Sequence, residues 1–126
     1  NTLELATVEE LQAHQTTLWK KHSLSAPIEQ RLIKEHAVDV ESLIKACSIL
    51  PWNYNYEIPK TVDKILTYKK KKGEDTVKVS LQFPEGLLLH STLIADILTK
   101  FCQVECLILG DVTYGACCVD DLASKQ

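Results

Sequence analysis

The sequence predicts an α/β protein in which N-terminal helices precede a parallel βαβ unit. Residues 77–83 alternate apolar and polar side chains, residues 87–101 carry apolar side chains at helical spacing, and residues 104–109 are mostly apolar. These patterns are typical of a half-buried strand, an amphipathic helix and a buried strand. Strand, helix and strand within about 35 residues form a right-handed unit with parallel strands.

Three capping signals predict the helices of the N-terminal part. Thr7 and Glu10 form a capping box ahead of a first helix from about Val8 to His22. Ser25 caps a second helix that ends near His36, and Asp39 caps a third. The expected apolar faces are, in chain order, Val8, Leu11, Leu18 and Trp19; then Ile28, Leu32 and Ile33; then Val40, Leu43, Ile44, Cys47 and Leu50.

The middle of the chain changes character. Residues 50–59 contain two prolines, two asparagines and three aromatics, which predicts an ordered loop that covers the core or, alternatively, offers a stacking surface. A helix from Pro59 to Gly73 follows and ends in the lysine run Lys69–Lys72. We interpret that run as a solvated helix end, with a local contact to RNA or an acidic partner as the alternative.

The βαβ unit then follows in order. Val77, Val79, Leu81 and Phe83 form the apolar side of a half-buried or edge-adjacent strand that ends at Pro84. The helix from Leu87 to Phe101 and the strand from Val104 to Leu109 complete the unit. The expected buried face of that helix consists of Leu89, Leu93, Ile94, Ile97, Leu98 and Phe101.

Composition narrows the functional class. The chain has 126 residues, a net charge of −3 and five cysteines, and no apolar run approaches the roughly 20 residues of a membrane span. The cysteines lack a regular framework and no secretory signal is visible, so we expect reduced thiols in the cytoplasm. The composition gives no general case for binding nucleic acid or a membrane. Because the chain starts with Asn1 and ends in a charged segment, we expect a fragment.

The predicted site lies where the two strands end. Their carboxyl ends, at Pro84-Glu85-Gly86 and at Gly110 to Cys118, open on the same edge of the sheet. Open α/β sheets bind ligands at that edge. The second segment contains two glycines and the adjacent pair Cys117-Cys118, and it leads into Asp120-Asp121, which we expect at a helix N-terminus.

The residues alone leave the role of the cysteines open. Cys117 or Cys118 is a metal or cluster ligand, a nucleophile served by a distant histidine, or a buried structural thiol. Cys102 and Cys106 have the first gap of a three-cysteine iron–sulfur loop, but the third position is Leu109, so we interpret them as structural. Cys47 falls on an apolar helix face and is expected to be buried.

Three blocks of sequence resemble the diphthamide biosynthesis family. In order, they are residues 50–62 (LPWNYNYEIPKTV), 81–88 (LQFPEGLL) and 110–121 (GDVTYGACCVDD). The run Asn53 to Tyr56 and the run Pro84 to Leu87 favour the family's catalytic subunit over its paralogous second subunit. The resemblance covers Leu50 to about Asp121, and residues 1–49 add only helical character.

The resemblance implies a non-standard radical-SAM enzyme built from three similar α/β domains. Residues 1–49 would be an N-terminal helical segment, and residues 50–126 the first of those domains, incomplete at its carboxyl end. Each domain of the family offers one cysteine to a central [4Fe–4S] cluster, and here that cysteine would be Cys117. Reductive cleavage of S-adenosylmethionine then gives a 3-amino-3-carboxypropyl radical, which adds to a histidine of elongation factor 2.

Site residues and partners follow from this expectation. The candidate cofactor-binding residues are Glu85, Gly86, Thr113, Tyr114 and Gly115; no catalytic residue is assigned. The implied partners are the paralogous second subunit in a heterodimer, elongation factor 2 and an electron-donor protein. Because the other two cluster cysteines are absent, we expect the chain alone to be inactive. The alternatives are an accessory, electron-delivery domain of the second subunit and a plain α/β binding domain with structural cysteines.

Overall fold

The structure, a computed structural model, describes residues 7–51, 57–112 and 118–122, and for residues 84–87, 110–112 and 118–122 it describes the backbone alone. Within these residues helices and strands mix as the sequence predicts. The elements, in chain order, are α1 (Val8–Ser23), α2 (Ala26–Lys34), α3 (Val40–Cys47), α4 (Ile58–Lys72), β1 (Lys78–Pro84), a 3₁₀ helix (Glu85–His90), α5 (Ser91–Cys102), β2 (Glu105–Val112) and β3 (Cys118–Leu122).

All three predicted N-caps are confirmed. The Glu10 amide donates to Thr7 Oγ1 at 3.1 Å, and the Thr7 amide donates to Glu10 Oε1 at 2.8 Å, which is the reciprocal capping box. The side chains of Ser25 and Asp39 each accept from the amide three residues on, at 3.4 and 3.3 Å. Such caps satisfy amides that the first helical turn leaves without a partner.

The expected apolar faces of the first two helices are only partly right. Trp19 is fully buried, whereas Val8 and Leu11 are 78% and 56% exposed, so α1 meets the core through its carboxyl-terminal half. Ile33 is half exposed, although its neighbour Leu32 is fully buried. Consecutive helical positions lie about 100° apart, and Ile33 lies on a side of α2 that is partly open to solvent.

The last helix, predicted to begin at Leu87, begins at Ser91 in the structure. Residues 85–90 form a 3₁₀ helix, which has three residues per turn, so its side chains fall out of phase with those of α5. Leu89, expected in the buried face, is 82% exposed for this reason. Within α5 itself, Ile94, Ile97 and Leu98 are buried as predicted.

The sheet confirms the parallel βαβ unit and extends it. The strand order is β2-β1-β3, with β2 parallel and β3 antiparallel to β1. One face of β1 is buried as predicted, through Val79, Leu81 and Phe83, and β1 lies between the two edge strands of the sheet. Asp120 and Asp121 do not begin a helix, because this segment pairs with the otherwise free side of β1.

The N-terminal helices pack on the α/β unit in one core. Buried side chains from α1 to α5, β1 and the residues just before the strands form a single cluster. The Trp19 indole Nε1 donates to the Leu50 carbonyl at 2.8 Å, which ties α1 to the end of the α3 segment. The division at residues 49 and 50 stays a prediction. Across the described ranges, every helix is too short or too polar to cross a membrane.

Candidate functional site at the carboxyl ends of the strands

The carboxyl ends of β1 and β2 lie side by side, as the sequence predicted. Pro84, the last residue of β1, is paired with Val112, the last residue of β2. The chain returns to the sheet at Cys118, which is paired with Gln82 of β1. Both ends of the segment 113–117 are therefore anchored within two residues of the end of β1.

The helix α5 begins near this edge, since it follows the 3₁₀ helix that starts at the end of β1. Lys69 Nζ, in the last turn of α4, donates to the Cys102 and Gln103 carbonyls at 2.9 and 3.1 Å, so both helices end together at the opposite edge.

This arrangement corrects the interpretation of the lysine run. Lys69 caps the carboxyl end of α5, and Lys70 Nζ donates to the Glu35 carbonyl just after α2. Lys71 and Lys72 are exposed, as expected for a solvated helix end. Two of the four lysines therefore hold neighbouring helix ends together, because an ammonium group stabilises the unpaired carbonyls there.

The site edge lies above buried residues that we call the packed base: Leu81, Phe83 and Ser91. Leu81 and Phe83, in the second half of β1, are fully buried, so the end of the strand is held by the core. Ser91, the first residue of α5, is 6% exposed, and its Oγ donates to the Leu88 carbonyl at 2.7 Å. This bond closes the junction between the 3₁₀ helix and α5. The backbone of residues 84–91 is thereby tied to both strand and helix.

The predicted site residues divide into two groups. Glu85 and Gly86 are the first two residues of the 3₁₀ helix, directly after the end of β1, and only their backbone is described. Thr113, Tyr114, Gly115 and Cys117 lie outside the described residues, as do the aromatics of positions 52–56. The structure brings Glu85 and Gly86 to the edge where residues 113–117 are anchored; the contacts of that segment stay predictions.

The cysteines with described side chains behave as structural thiols. Cys47 and Cys102 are buried, and burial raises the pKa of each thiol to about 12. Burial also raises the pKa of half-buried Cys106, whose Sγ lies 3.7 Å from the Ala95 carbonyl and 3.8 Å from Thr99 Oγ1. The prediction of a buried Cys47 is confirmed. Cys102 ends α5 and Cys106 lies in β2, as expected.

These thiols fit an iron–sulfur centre poorly. A cluster ligand is a thiolate within reach of the iron, whereas Cys47 and Cys102 are buried among apolar side chains, where burial raises the pKa of each thiol. In the ranges with described side chains, no three histidine, cysteine or acidic residues come together as a metal site. None of the three thiols with described side chains is therefore placed to hold an iron, and the role of Cys117 stays a prediction.

Polar side chains that the sequence did not single out join α2 to α4. Asp63 Oδ2 accepts from Arg31 Nε at 3.0 Å, and Asp63 Oδ1 lies 3.1 Å from His36 Nε2. Asp63 lies 32 positions from Arg31 and 27 from His36, so no local pattern in the sequence predicts these contacts. Beside them, a cavity of about 440 Å³ opens between the end of α1 and the starts of α2 and α4.

The fold and this edge define a class: an α/β protein in which a cysteine-bearing segment follows the carboxyl end of a parallel strand. Residues 83–126, from the end of β1 onward, match the family model of diphthamide synthesis proteins. Matches to curated relatives cover about three quarters of the chain. The chain belongs to the diphthamide synthesis family, and the resemblance of the three sequence blocks is confirmed.

Three relatives show how close the match is, and each is named 2-(3-amino-3-carboxypropyl)histidine synthase subunit 1. The chain is 50% identical over 94 residues to that of Gibberella zeae, 46% over 93 residues to that of Saccharomyces cerevisiae, and 48% over 94 residues to that of Dictyostelium discoideum. These matches cover 74%, 74% and 75% of the chain but 19%, 20% and 19% of the relatives. The chain thus spans about a fifth of their length. No solved structure matches it.

Proposed function

We propose that this chain is part of the catalytic subunit of a 3-amino-3-carboxypropyl transferase that modifies a histidine of elongation factor 2. The observation that carries the proposal is near-50% identity to relatives named synthase subunit 1. Their name describes a histidine with a four-carbon amino-acid group on its imidazole. The sulfonium of S-adenosylmethionine carries such a group, and we propose this compound as the donor.

Cys117 is the proposed ligand of a [4Fe–4S] cluster. Two observations support it: Cys47 and Cys102 are buried, which raises the pKa of each thiol, and Cys117 directly precedes the strand residue that pairs beside the end of β1. When bound, such a cluster supplies the single electron that cleaves a carbon–sulfur bond of S-adenosylmethionine. The role of this chain is to hold one iron ligand on a packed sheet edge.

Five further residues are proposed to bind and orient the donor. Glu85 and Gly86 follow the end of β1 directly, and Thr113, Tyr114 and Gly115 belong to the segment anchored beside them. An edge held by a packed core orients a substrate without large rearrangement. The packed base below, with Phe83 fully buried, also supports a site from which water is excluded on one side.

The proposed partners are a paralogous second subunit, an electron-donor protein and elongation factor 2, all in the cytoplasm. The words "subunit 1" in the relatives' name imply at least one other subunit. That designation also favours the catalytic assignment over the accessory subunit. The remaining cluster ligands would lie in polypeptide beyond these 126 residues.

The test is cluster loading in the complete polypeptide coexpressed with the second subunit. Iron and sulfide content and an EPR spectrum of the reduced protein are measured under anaerobic conditions. We expect Cys117→Ser to lose the signal and its shift on addition of S-adenosylmethionine. Cys106→Ser, which changes a half-buried thiol in the first half of β2, is the matched control and keeps both. An unchanged signal in Cys117→Ser would assign the chemistry to the partner and leave this chain as a scaffold.

A further inference from the structure

The cavity between the end of α1 and the starts of α2 and α4 is lined mainly by basic and apolar side chains. Its volume of about 440 Å³ is within the range of small-molecule sites. The basic side chains come from all three helices: Lys21 and His22 from α1, Arg31 from α2 and Lys60 from α4. Among the described residues that line it, Glu57 is the single carboxylate. We call it the basic cavity, which contrasts with the net charge of −3 on the whole chain.

The basic side chains keep hydrogen-bonding capacity for a ligand. Asp63 accepts from Arg31 Nε at 3.0 Å, but this contact uses one of the five N–H donors of the guanidinium, and the Arg31 side chain is 43% exposed. Asp63 itself is buried and does not line the cavity. Lys60 Nζ lies 4.0 Å from Glu57 Oε1, which is longer than a hydrogen bond, and its side chain is 66% exposed.

Two helices begin at the basic cavity. The amino end of a helix carries a partial positive charge, and such ends bind phosphate groups in many proteins. Ser25 caps α2, and its Oγ accepts from the Ile28 amide at 3.4 Å. Glu57, the residue before α4, makes no side-chain capping bond within the part of the chain that the structure describes. The start of α4 therefore favours an anion at the same place as the basic side chains.

We propose that the basic cavity binds a small organic phosphate, a phosphate monoester with an apolar or aromatic group. The phosphate contacts Arg31 and Lys60, because guanidinium and ammonium groups form strong charge-assisted hydrogen bonds with it. The apolar group contacts Leu24, Pro27 and Ile28, which supply the apolar part of the lining. A monoester carries a charge of about −1.5 to −2 at neutral pH and suits several cations better than a single carboxylate does. This inference is independent of the cluster and of the proposed donor.

The test is isothermal titration calorimetry of phenyl phosphate into the complete polypeptide, coexpressed with its second subunit. We expect Lys60→Met to weaken binding about three- to fivefold, which is the effect of one exposed ion pair. Lys71→Met is the matched control, since it removes the same charge from the exposed far end of α4, and it leaves binding unchanged. Glu57→Gln removes the carboxylate of the lining and strengthens binding by a similar factor. Benzoate, which has the same ring but a single negative charge, binds more weakly than phenyl phosphate.

Four results would overturn the proposal. No measurable binding of phenyl phosphate would refute it directly. Equal effects of Lys60→Met and Lys71→Met would show a general attraction to basic surface. Unchanged or weaker binding in Glu57→Gln would place the ligand outside the cavity, and equally tight binding of benzoate would assign the cavity to carboxylates, such as acidic side chains of a partner protein. Calorimetry needs neither iron nor activity, so failure of the cluster assignment and failure of this inference give different results.

Discussion

The Asp63 carboxylate, which joins α2 to α4, allows a quantitative test of the packing of the helices. Asp63 is 7% exposed and contacts two side chains of opposite accessibility. The Arg31 side chain is 43% exposed, whereas the His36 side chain is 3% exposed. Because an ionised carboxylate only accepts hydrogen bonds, His36 Nε2 carries the proton that faces Asp63.

The accessibility of Arg31 and of His36 decides how much the contact of each with Asp63 contributes to the free energy of unfolding. A buried hydrogen bond to a charged group stabilises by about 1.5–3 kcal/mol, and an exposed ion pair by about 0.2–1 kcal/mol. We therefore expect Asp63→Asn, which keeps the shape but removes the charge, to lower the free energy of unfolding by about 2–3 kcal/mol. Most of that loss should come from the contact with His36.

The assay is a pair of double-mutant cycles measured by urea unfolding. Asp63→Asn is combined with His36→Phe in one cycle and with Arg31→Met in the other, and each cycle isolates one pairwise coupling. We expect about 1.5 kcal/mol for His36 and about 0.5 kcal/mol for Arg31. A coupling for Arg31 that is larger than that for His36 would refute the argument that burial sets the strength of these contacts. A coupling for His36 below about 0.5 kcal/mol would refute it as well.

Three further results are expected. Lys69→Met removes both hydrogen bonds to the end of α5 and lowers the free energy of unfolding by about 1 kcal/mol. The control, Lys71→Met, changes an exposed lysine and alters the free energy of unfolding by less than about 0.5 kcal/mol. Equal effects of the two substitutions would contradict the capping role of Lys69. Gly73→Ala lowers the free energy of unfolding by about 1 kcal/mol, because φ of Gly73 is +65°, a backbone conformation that strains alanine. An added Cβ has no atom within 4 Å, so a steric clash does not contribute. An unchanged thermal midpoint would argue against backbone strain. Cys47 and Cys102, with a pKa of about 12, should resist iodoacetamide at pH 8 in the native protein, and labelling at the rate of a free thiol would disprove their burial.

Local signals predicted the elements well where the physics is local. The caps at Thr7, Ser25 and Asp39 depend on a side chain and an amide three residues away, and all three are present. The alternation along β1 reports which side of the strand is apolar, and that side is buried. The grouping of the two strand ends at one edge followed from parallel pairing alone.

Other predictions failed because they depend on distant parts of the chain. Asp120 and Asp121 suit a helix start, but β1 offers unpaired backbone groups that bind this segment as a strand. Val8 and Leu11 have helical spacing, yet no described neighbour covers that half of α1. The spacing of apolar residues identifies a face, and only the arrangement of the other elements determines whether the face is covered.

The candidate site shows the same division. The sequence by itself determined the family, the segment that carries Cys117 and the shared edge of the strands. The order of the motifs and the parallel direction of the strands can both be derived from the sequence alone. Only the tertiary structure decided that β1 is central, that Lys69 caps a helix end 33 residues away, and that Cys47 and Cys102 are buried thiols with a raised pKa. These properties arise from contacts between residues far apart in sequence, and burial, which sets both thiol pKa and packing, exists only once those contacts form.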